Sequence, residues 1–315
     1  MGSVSEHVSG FVSLLGRPNA GKSTLLNALV GAKVAIVADK PQTTRTTIQG
    51  VWTTPTAQVV FIDTPGIHQA ETKFNQRMMQ SIQEALDQRD LLIYLHDATH
   101  PPGPADEAAL ELIKSARTPV LLALTKVDRL AKKDELLPLI AWFRERHEFE
   151  DYLPISALAG DGLEELRQAV LQRLPPGEAF FPEDYYTDQP ERFIAAEIIR
   201  EKILALTRQE VPHSVAVMVD QWEDTPKITN VAATIHVERS GQKAIVLGTK
   251  AERLKRIGTE ARLELESLLG RRFFLHLFVK VSPKWRENPS FLRELDWRAQ
   301  LGVEPAGPPE DNEKE

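Results

Sequence analysis

The chain has 315 residues, of which 42% are hydrophobic and 26% are charged, and 45 acidic side chains against 38 basic ones give it a net charge of −7. This length favours two globular domains, and the apolar fraction is too high for wholesale disorder. The sequence contains no cysteine, which excludes disulfides, iron–sulfur clusters and thiol nucleophiles and agrees with a reducing compartment. The net acidity argues against a nucleic-acid-binding protein if the charge is spread evenly.

Targeting and membrane segments are not predicted. The first ten residues, MGSVSEHVSG, include an acid and lack an apolar core, so we expect no signal peptide. Apolar runs such as 91–95 and 120–124 are far too short to span a bilayer.

The first half of the chain alternates two kinds of hydrophobic pattern. Short apolar runs predict strands at 11–15, 59–62, 91–95, 120–124 and 153–155. Helical spacing predicts helices at 24–30, 74–86, 105–115, 136–146 and 163–171. After a tail at 1–7, this alternation predicts an α/β domain over residues 8–175, with a mostly parallel sheet and helices on both faces. Such sheets bind their ligands beyond the carboxyl ends of the strands.

A glycine-rich loop follows the first predicted strand and precedes the first predicted helix. It consists of Gly16, Arg17, Pro18, Asn19, Ala20, Gly21, Lys22 and Ser23, with Thr24 next, and it matches the phosphate-loop pattern G-x-x-x-x-G-K-[ST]. Backbone N–H groups and a helix N-terminus favour a bound polyphosphate. Lys22 supplies a charge between the β- and γ-phosphates, and the Ser23 hydroxyl is a ligand for Mg²⁺.

The strand predicted at 59–62 ends in Asp63, Thr64, Pro65 and Gly66. A carboxylate at this edge can hold magnesium, and the Gly66 N–H can meet a γ-phosphate oxygen and lose that contact on hydrolysis. An Asp-to-Gly turn by itself is a weak signal. Its position at the end of a core strand favours the functional interpretation.

Two later strand ends predict the base that is bound. Thr125, Lys126, Val127 and Asp128 close the strand at 120–124, and Ser156, Ala157 and Leu158 follow the strand at 153–155. The Asp128 carboxylate can accept hydrogen bonds from N1–H and N2–H₂ of guanine, donors that adenine lacks in that arrangement. The Lys126 stem can cover the base plane, and a backbone N–H after Ser156 can meet the guanine O6. The ligands are therefore predicted to be GTP and GDP.

Taken in order, these elements resemble the translation-factor-related GTPases. The resemblance places a magnesium-linked switch threonine in the segment Gln42-Thr43-Thr44-Arg45 and gives that role to Thr44, although the sequence does not separate Thr44 from Thr43. It implies Lys22, Thr44 and Gly66 as catalytic residues and Ser23, Thr44 and Asp63 as magnesium ligands.

The position after Gly66 bears on the rate of hydrolysis. Many GTPases orient the attacking water with a glutamine there, but this chain has Ile67, so slow intrinsic hydrolysis is expected unless another group supplies that function. The adjacent His68 is interpreted as a solvated switch residue rather than a general base. Asn19 resembles the residue that coordinates a potassium ion in GTPases without that glutamine, and K⁺ activation is a hypothesis.

The chain changes character after residue 175. A proline-rich and then acidic stretch at 176–190 predicts a linker, and residues 191–286 predict a smaller α+β domain. Helices are expected at 191–207, 251–257 and 259–269, with a break at Gly258, and strands at 215–219, 228–237, 243–247 and 273–281. A C-terminal helix and an acidic, proline-rich tail that we expect to be disordered fill residues 287–315.

The charge is uneven along this second half. Residues 242–286 hold 11 bases and 4 acids, a net +7, so that the remainder of the chain carries −14. The run from Ile245 to Gly258 resembles the KH domain, whose G-x-x-G loop clamps the backbone of about four unpaired nucleotides, except that Ala251 replaces the second glycine. The resemblance implies these RNA-binding residues: Gly248, Thr249, Lys250, Ala251, Arg253, Lys255 and Lys280.

The combination of a GTPase domain, a type II KH domain and the segment Val279-Lys280-Val281…Trp285 resembles the Era family of bacterial ribosome-assembly GTPases over residues 8–300. That resemblance implies binding to the 3′ end of small-subunit 16S rRNA within 30S pre-ribosomal particles, a role in 30S maturation, a monomer, and a cytoplasmic location with peripheral association at the inner face of the membrane. Two alternatives remain open: a GTPase that supports chemistry on transfer RNA, and a regulator whose second domain docks proteins.

Overall fold

The computed structural model describes residues 7–40, 43–67, 73–86, 89–116, 118–207, 211–212 and 214–302. In this part of the chain there are two β-sheets, one with six strands and one with three. The strands of the large sheet are β1 (Val8–Gly16), β2 (Ile48–Thr54), β3 (Ala57–Asp63), β4 (Leu91–Asp97), β5 (Val120–Thr125) and β6 (Asp151–Pro154). Their spatial order is β2-β3-β1-β4-β5-β6, and every neighbouring pair is parallel except β2 with β3.

Five helices cover both faces of this sheet: α1 (Lys22–Val30), α2 (Lys73–Glu84), α3 (Pro104–Ser115), α4 (Leu136–Arg144) and α5 (Leu163–Leu171). Helices α1 and α5 share one buried apolar cluster with one face of the sheet, and α2, α3 and α4 share a second cluster with the other face. Because the central strands are buried on both faces, they are continuous apolar runs rather than alternating ones. The predicted α/β class is confirmed.

Strand β2 is absent from the sequence predictions. It pairs antiparallel with β3 at the sheet edge, and its sequence IQGVWTT lacks a continuous apolar run. Gly50 lies where a Cβ would approach the side chains of Leu26 and Val30 to 2.8 Å, so this strand packs against α1 through the absence of a side chain. A hydrophobicity pattern does not detect that kind of packing.

The second domain contains α6 (Glu191–Leu206), β7 (Ala216–Asp224), β8 (Thr229–Val237), α7 (Ser240–Leu247), α8 (Glu252–Leu269) and β9 (Phe273–Val281). Strand β8 is central, antiparallel to β7 and parallel to β9. The three helices share one apolar core with the sheet. The order αββααβ with a parallel β8–β9 pair is the type II KH arrangement, as predicted.

Two details of the predicted second domain are wrong. The segment 243–247, which was expected to be a strand, belongs to helix α7. The Gln242 side chain caps the N-terminus of this helix, because its Oε1 accepts hydrogen bonds from the backbone N–H groups of Glu238 and Arg239 at 2.9 and 3.0 Å. The break expected at Gly258 does not exist, because α8 continues through it. A Cβ on Gly258 would make only an ordinary van der Waals contact with Leu277 Cδ1, at 3.4 Å, so this part of α8 lies against β9 without requiring a glycine.

The chain after β9 forms α9 (Pro289–Leu295) and α10 (Trp297–Leu301). The side chains of Asn288 and Asp296 cap these helices by accepting hydrogen bonds from backbone N–H groups in their first turns. The predicted disordered tail at 305–315 lies outside the described residues. The predicted linker crosses the edge of the first sheet, where Gln58 Oε1 accepts hydrogen bonds from the N–H groups of Phe180 and Phe181 at 2.6 and 2.9 Å.

Candidate nucleotide site and nucleic-acid interface

The glycine-rich loop joins β1 to α1 at the carboxyl edge of the large sheet. A Cβ on Gly16 would lie 2.5 Å from the Leu95 carbonyl oxygen, and Gly21 has the left-handed φ of 95°, so both positions require glycine. The Lys22 Nζ donates hydrogen bonds to the carbonyl oxygens of Gly16 and Arg17, both at 3.1 Å. Burial lowers the pKa of Lys22 to about 8, against the opposing attraction of Asp63. The loop thus holds one buried amine where a polyphosphate would bind.

Asp63 ends β3 beside this loop and is completely buried. Its Oδ2 accepts hydrogen bonds from the hydroxyls of Ser23 at 2.6 Å and Thr44 at 3.1 Å, whereas its Oδ1 has no hydrogen-bond partner among the described residues. Burial raises the pKa of Asp63, and Lys22 and the two hydroxyls oppose that rise. One carboxylate and two hydroxyls are hard oxygen donors of the kind that Mg²⁺ prefers, and a buried oxygen without a partner fits a cation site.

The structure separates the two switch threonines. Thr44 Oγ1 lies 2.7 Å from Ser23 Oγ and faces Asp63. Thr43 Oγ1 instead donates to the backbone carbonyl of Lys40 at 2.6 Å. Thr44 is therefore the threonine at the predicted magnesium position.

Gly66 lies against the phosphate loop. A Cβ there would come within 2.7 Å of the Pro18 backbone, so only glycine allows the segment after β3 to approach the loop this closely. The Ile67 side chain is buried in the apolar cluster beneath α2, α3 and α4 and offers no polar atom to a water molecule. Gln42 and His68 lie outside the described residues.

The residues predicted to bind the base meet at the ends of β5 and β6. Thr125 Oγ1 donates to the Ala20 carbonyl at 2.8 Å and so joins β5 to the phosphate loop. Lys126 has a left-handed φ of 60° and pairs with Asp97 at 2.7 Å. Asp128 Oδ1 accepts from Ser156 Oγ at 2.6 Å, which orients the carboxylate that is predicted to read guanine.

One cleft of about 210 Å³ connects the loop with this base-binding region. Fourteen of the predicted residues line it: Pro18, Asn19, Gly21, Lys22, Ser23, Thr24, Thr44, Gly66, Thr125, Lys126, Asp128, Ser156, Ala157 and Leu158. The other predicted residues lie in the same segments without lining it: Gly16, Arg17, Ala20, Asp63, Thr64, Pro65 and Val127. Residues 36–40 also line the cleft, and the sequence predictions omit them because no motif marks them.

The predicted RNA-binding loop connects α7 to α8, so it joins two helices rather than a strand and a helix. A Cβ on Gly248 would lie 2.8 Å from Arg253 Cβ, which explains the glycine. Lys250 and Ala251 have left-handed φ values of 50° and 62° and are exposed. The Arg253 guanidinium donates to the Ile245 carbonyl, so it ties the loop to α7. Thr249, Lys255 and Lys280 are exposed.

The basic segment 242–286 is only partly neutralised. Four of its eleven bases form salt bridges among the described residues: Arg256, Arg262, Arg271 and Arg286. The remaining seven form none with the described residues. If every basic side chain were paired with an acid, the segment would be an ordinary solvated surface. Basic side chains without an acidic partner instead favour contact with a polyanion.

Comparisons with known proteins decide the family. A family model described as a 50S ribosome-binding GTPase matches residues 11–126, and a KH domain model matches residues 210–286. The chain is 47% identical over 291 residues to GTPase Era of Geobacter metallireducens and 48% identical over 290 residues to GTPase Era of Geotalea uraniireducens, each time covering 92% of this chain and 97% of the relative. The chain belongs to the Era family of GTPases.

Two solved structures of Era proteins share this fold. An Era variant from Aquifex aeolicus bound to GDP and aluminium fluoride has a TM-score of 0.89, and an Era in complex with MgGDPNP and nucleotides 1506–1542 of 16S ribosomal RNA has a TM-score of 0.90. Each is 41% identical to this chain and covers 92% of it and 99% of the solved chain. The predicted Era resemblance is confirmed.

In this Era-family chain the segment around Thr44, which we call switch I (residues 43–47), contacts the second domain. The Thr43 carbonyl accepts a hydrogen bond from Arg200 of α6. Arg45 donates to the Val215 carbonyl at 2.6 Å. The Thr47 carbonyl accepts from Arg298 of α10 at 2.7 Å. The sequence predictions include none of these arginine contacts, because each joins distant parts of the chain.

Helix α2 reaches the same interface. The Phe74 ring packs against Trp285 with a centroid distance of 5.6 Å, and the Arg45 guanidinium lies 5.2 Å from the centre of the Phe74 ring. The Trp285 indole is buried and donates to the Ser214 carbonyl at 3.0 Å.

Among the described residues no helix is long and apolar enough to cross a membrane.

Proposed function

We propose that this chain is a GTP-switched RNA-binding factor that binds the 3′ region of 16S rRNA and assists maturation of the 30S subunit. The observation that carries the proposal is the contact of switch I with the second domain through Arg45, Arg200 and Arg298. The same segment supplies Thr44 to the predicted magnesium position. The likeness to an Era that was solved with MgGDPNP and 16S rRNA nucleotides supports it.

The nucleotide chemistry follows from the cleft. Ser23, Thr44 and Asp63 would hold Mg²⁺, which when bound would neutralise charge on the β- and γ-phosphate oxygens. The buried Lys22 would supply a second positive charge, and Gly66, whose backbone lies against Pro18, would offer its N–H to the γ-phosphate. Because Ile67 offers no polar atom, water is not oriented from that position, and we infer slow hydrolysis in the absence of a further cation or partner.

A potassium ion at Asn19 is the further cation that we infer. Asn19 lines the cleft and has a left-handed φ of 64°, so its side chain would lie near bound phosphates and could contribute an oxygen to a cation. Hydrolysis by the whole chain should be faster in potassium than in sodium buffer at equal ionic strength. Equal rates would remove the potassium hypothesis.

Nucleotide state would reach the RNA-binding domain through switch I. Thr44 bonds Asp63 and Ser23, and its neighbour Thr43 bonds Arg200, which is 1% exposed. A γ-phosphate and magnesium that reposition Thr44 would therefore change the contact with α6, and α6 packs against the KH sheet. Two sites that share one ordered segment are coupled in both directions.

The test is the affinity for an RNA with the sequence of nucleotides 1506–1542 of 16S rRNA, measured with the GDPNP-bound, GDP-bound and nucleotide-free chain at two salt concentrations. We expect tighter binding with GDPNP and a steep loss with salt. Arg200→Lys, which keeps the charge but changes the hydrogen-bond geometry, should reduce the ratio between the GDP and GDPNP dissociation constants. Identical affinities in all three states would contradict the coupling, and indifference to salt would contradict the basic interface.

Crosslinking in cells separates the proposal from a transfer-RNA factor and from a protein-docking regulator, because the crosslinked partner would be 16S rRNA, transfer RNA or mainly protein. Peripheral membrane association, a cytoplasmic location and a monomeric state stay predictions of the family resemblance.

A further inference from the structure

The outer face of the KH sheet, opposite α6, α7 and α8, has a row of exposed side chains along the edge strand β9. Phe274 is 48% exposed and Phe278 is 59% exposed, and His276 and Lys280 on the same face are also exposed. Alternate residues of a strand point to one face, so these four side chains form a continuous line, which we call the aromatic row. Large apolar side chains this exposed are typical of an interaction surface when they lie together.

The neighbouring strand leaves the aromatic row open. Opposite Phe274, His276 and Phe278, β8 places Asn230, Ala232 and Thr234, which are small or polar. At the other end of the face, the Phe291 ring of α9 covers His236, with ring centroids 4.9 Å apart. Because His236 pairs with Lys280, the part of the sheet covered by α9 ends beside Lys280 and leaves Phe274, His276 and Phe278 uncovered by this helix.

The charge around the aromatic row favours a polyanion. Residues 271–286 contain five bases and no acid. Arg272, Lys280 and Lys284 are exposed and form no salt bridge with the described residues. Asp220 of β7 is an exposed acid beside this face, where it accepts a hydrogen bond from Thr234 at 2.6 Å, so the row has a basic excess rather than basic residues alone. A protein partner that binds through apolar contact does not require such an excess of positive charge. Single-stranded nucleic acid does, because aromatic rings stack on its nucleobases while basic side chains contact its phosphates.

The position of β9 connects the aromatic row with the KH loop. Helix α8 follows that loop directly, and its Gly258 packs on Leu277 of the inner face of β9. Within the described part of the chain, strand β9 has a neighbouring strand on one side only. A strand of RNA that leaves the loop can therefore pass the free edge of β9 and reach its outer face.

We propose that the aromatic row is a second RNA-contact surface, on which bases of single-stranded RNA beyond the nucleotides held at the KH loop stack on Phe274 and Phe278. Phe274 and Phe278 are four residues apart on one strand, about 13 Å, which leaves room for one base at each ring. The His276 ring lies between them and packs edge-to-face on Phe274 with a centroid distance of 4.6 Å. Phosphates of the same strand would contact Lys280 and Arg272. This inference rests on the proposed RNA-binding function and extends it from the loop to the sheet.

The experiment compares two RNAs on the full GDPNP-bound chain by fluorescence anisotropy. One is a fragment of about four nucleotides, the length that a KH loop holds, and the other a fragment of about twelve, both from the 3′ end of the 1506–1542 sequence. The double variant Phe274→Ala/Phe278→Ala should weaken the long RNA by at least about fivefold per ring and leave the short one unchanged. Phe278→Trp should retain affinity and Phe278→Leu should not, since stacking needs a ring.

Two controls keep the outcomes distinct. Leu263→Ala removes another exposed apolar side chain of the same domain, 54% exposed, and should leave both affinities unchanged. Lys250→Ala in the KH loop should weaken both RNAs. If it does and the double variant weakens neither, the aromatic row is not an RNA surface, although the KH loop is.

Two further outcomes would also contradict the proposed RNA contact at the aromatic row. If the wild-type chain binds neither RNA, the proposed function and this inference fail together. If the double variant changes the sedimentation mass of the chain while RNA affinity stays the same, the aromatic row is a protein interface and the proposal is overturned.

Discussion

The nucleotide cleft and the KH loop would both bind phosphates, but they are built in opposite ways. In the cleft, Lys22 and Asp63 are buried, at 6% and 0% exposure, and the parallel pairing of β1 with β3 places Asp63 beside the phosphate loop. In the KH loop, Lys250 and Ala251 are exposed and lie between two helices. The charged groups of the cleft are therefore buried and held by fixed partners, whereas the charged group of the loop is exposed to solvent.

This difference predicts how strongly each site responds to a change. A buried charge has no water to replace a lost partner, so one substitution in the cleft has a large effect. An exposed charge is screened and shares its role with its neighbours, so one substitution in the loop has a small effect. Each site can therefore be tested by the size of the response as well as by its direction.

Removal of the buried amine should have the largest effect. Lys22→Ala removes the only buried lysine of the described cleft. The free energy of GTP binding should become less favourable by about 3 kcal/mol or more, which is at least about 100-fold in affinity. Titration with a fluorescent GTP analogue measures this. Lys133→Ala, which removes an exposed lysine of the same domain, is the matched control and should bind normally. A loss of only a few-fold in the GTP affinity of Lys22→Ala would contradict the inference that the buried amine contributes strongly to nucleotide binding.

The pH dependence of GTP binding should be the next largest effect. The pKa of Lys22 is lowered by burial to about 8 in the free chain, and the phosphates require the charged amine. Above pH 8 the free chain has to take up a proton in order to bind, so the affinity should fall by about tenfold per pH unit. Between pH 7 and 9 we therefore expect about tenfold weaker binding.

Lys22→Arg is the control for that pH profile, because arginine stays charged over this range. Its profile should be flatter than that of the wild type, whatever its absolute affinity. Parallel profiles for the two proteins would assign the pH dependence to another group.

The comparison of the two sites also explains what the sequence could predict. Asp63, Thr125 and Ser156 stand at or just after the carboxyl ends of core strands, so the order of the motifs is enough to place them in one cleft. Residues 36–40 line the same cleft without any motif, since their position depends on how the segment before Thr44 folds back. The choice between Thr43 and Thr44 required the distances to Asp63.

In the second domain, one short apolar run led to a wrong prediction of secondary structure. Residues 243–247 contain four successive apolar residues, a pattern that strands and buried helices share. In the structure this segment is the buried kind of helix, since Val246 lies in the apolar core and the Gln242 side chain caps the first turn. Arg200 and Arg298 contact switch I across more than 150 residues of sequence, and no local pattern predicts such a contact.

A single exposed base of the KH loop should have a moderate effect. If Lys250 contacts one RNA phosphate as predicted, Lys250→Ala should lower the slope of log K against log salt by about 0.7 and the affinity by about fivefold at 0.1 M salt. Arg256→Ala, which removes an exposed base already paired with Glu260 at 2.7 Å, should change both less. A change of 100-fold in Lys250→Ala would show that the loop depends on one residue, as the cleft does.

The smallest expected effect concerns the residue that replaces the second loop glycine. Ala251 has a φ of 62°, and the left-handed conformation costs an alanine about 1 kcal/mol, while a glycine at this position would lose more entropy on folding. We expect Ala251→Gly to raise the free energy of unfolding by about 0.5 kcal/mol and, without the methyl group, to bind RNA somewhat more tightly. Ala244→Gly in helix α7 should instead destabilise the chain by about 1 kcal/mol. Denaturant unfolding of both variants measures these opposite signs, and a destabilised Ala251→Gly would show that the loop does not hold Ala251 in the left-handed conformation.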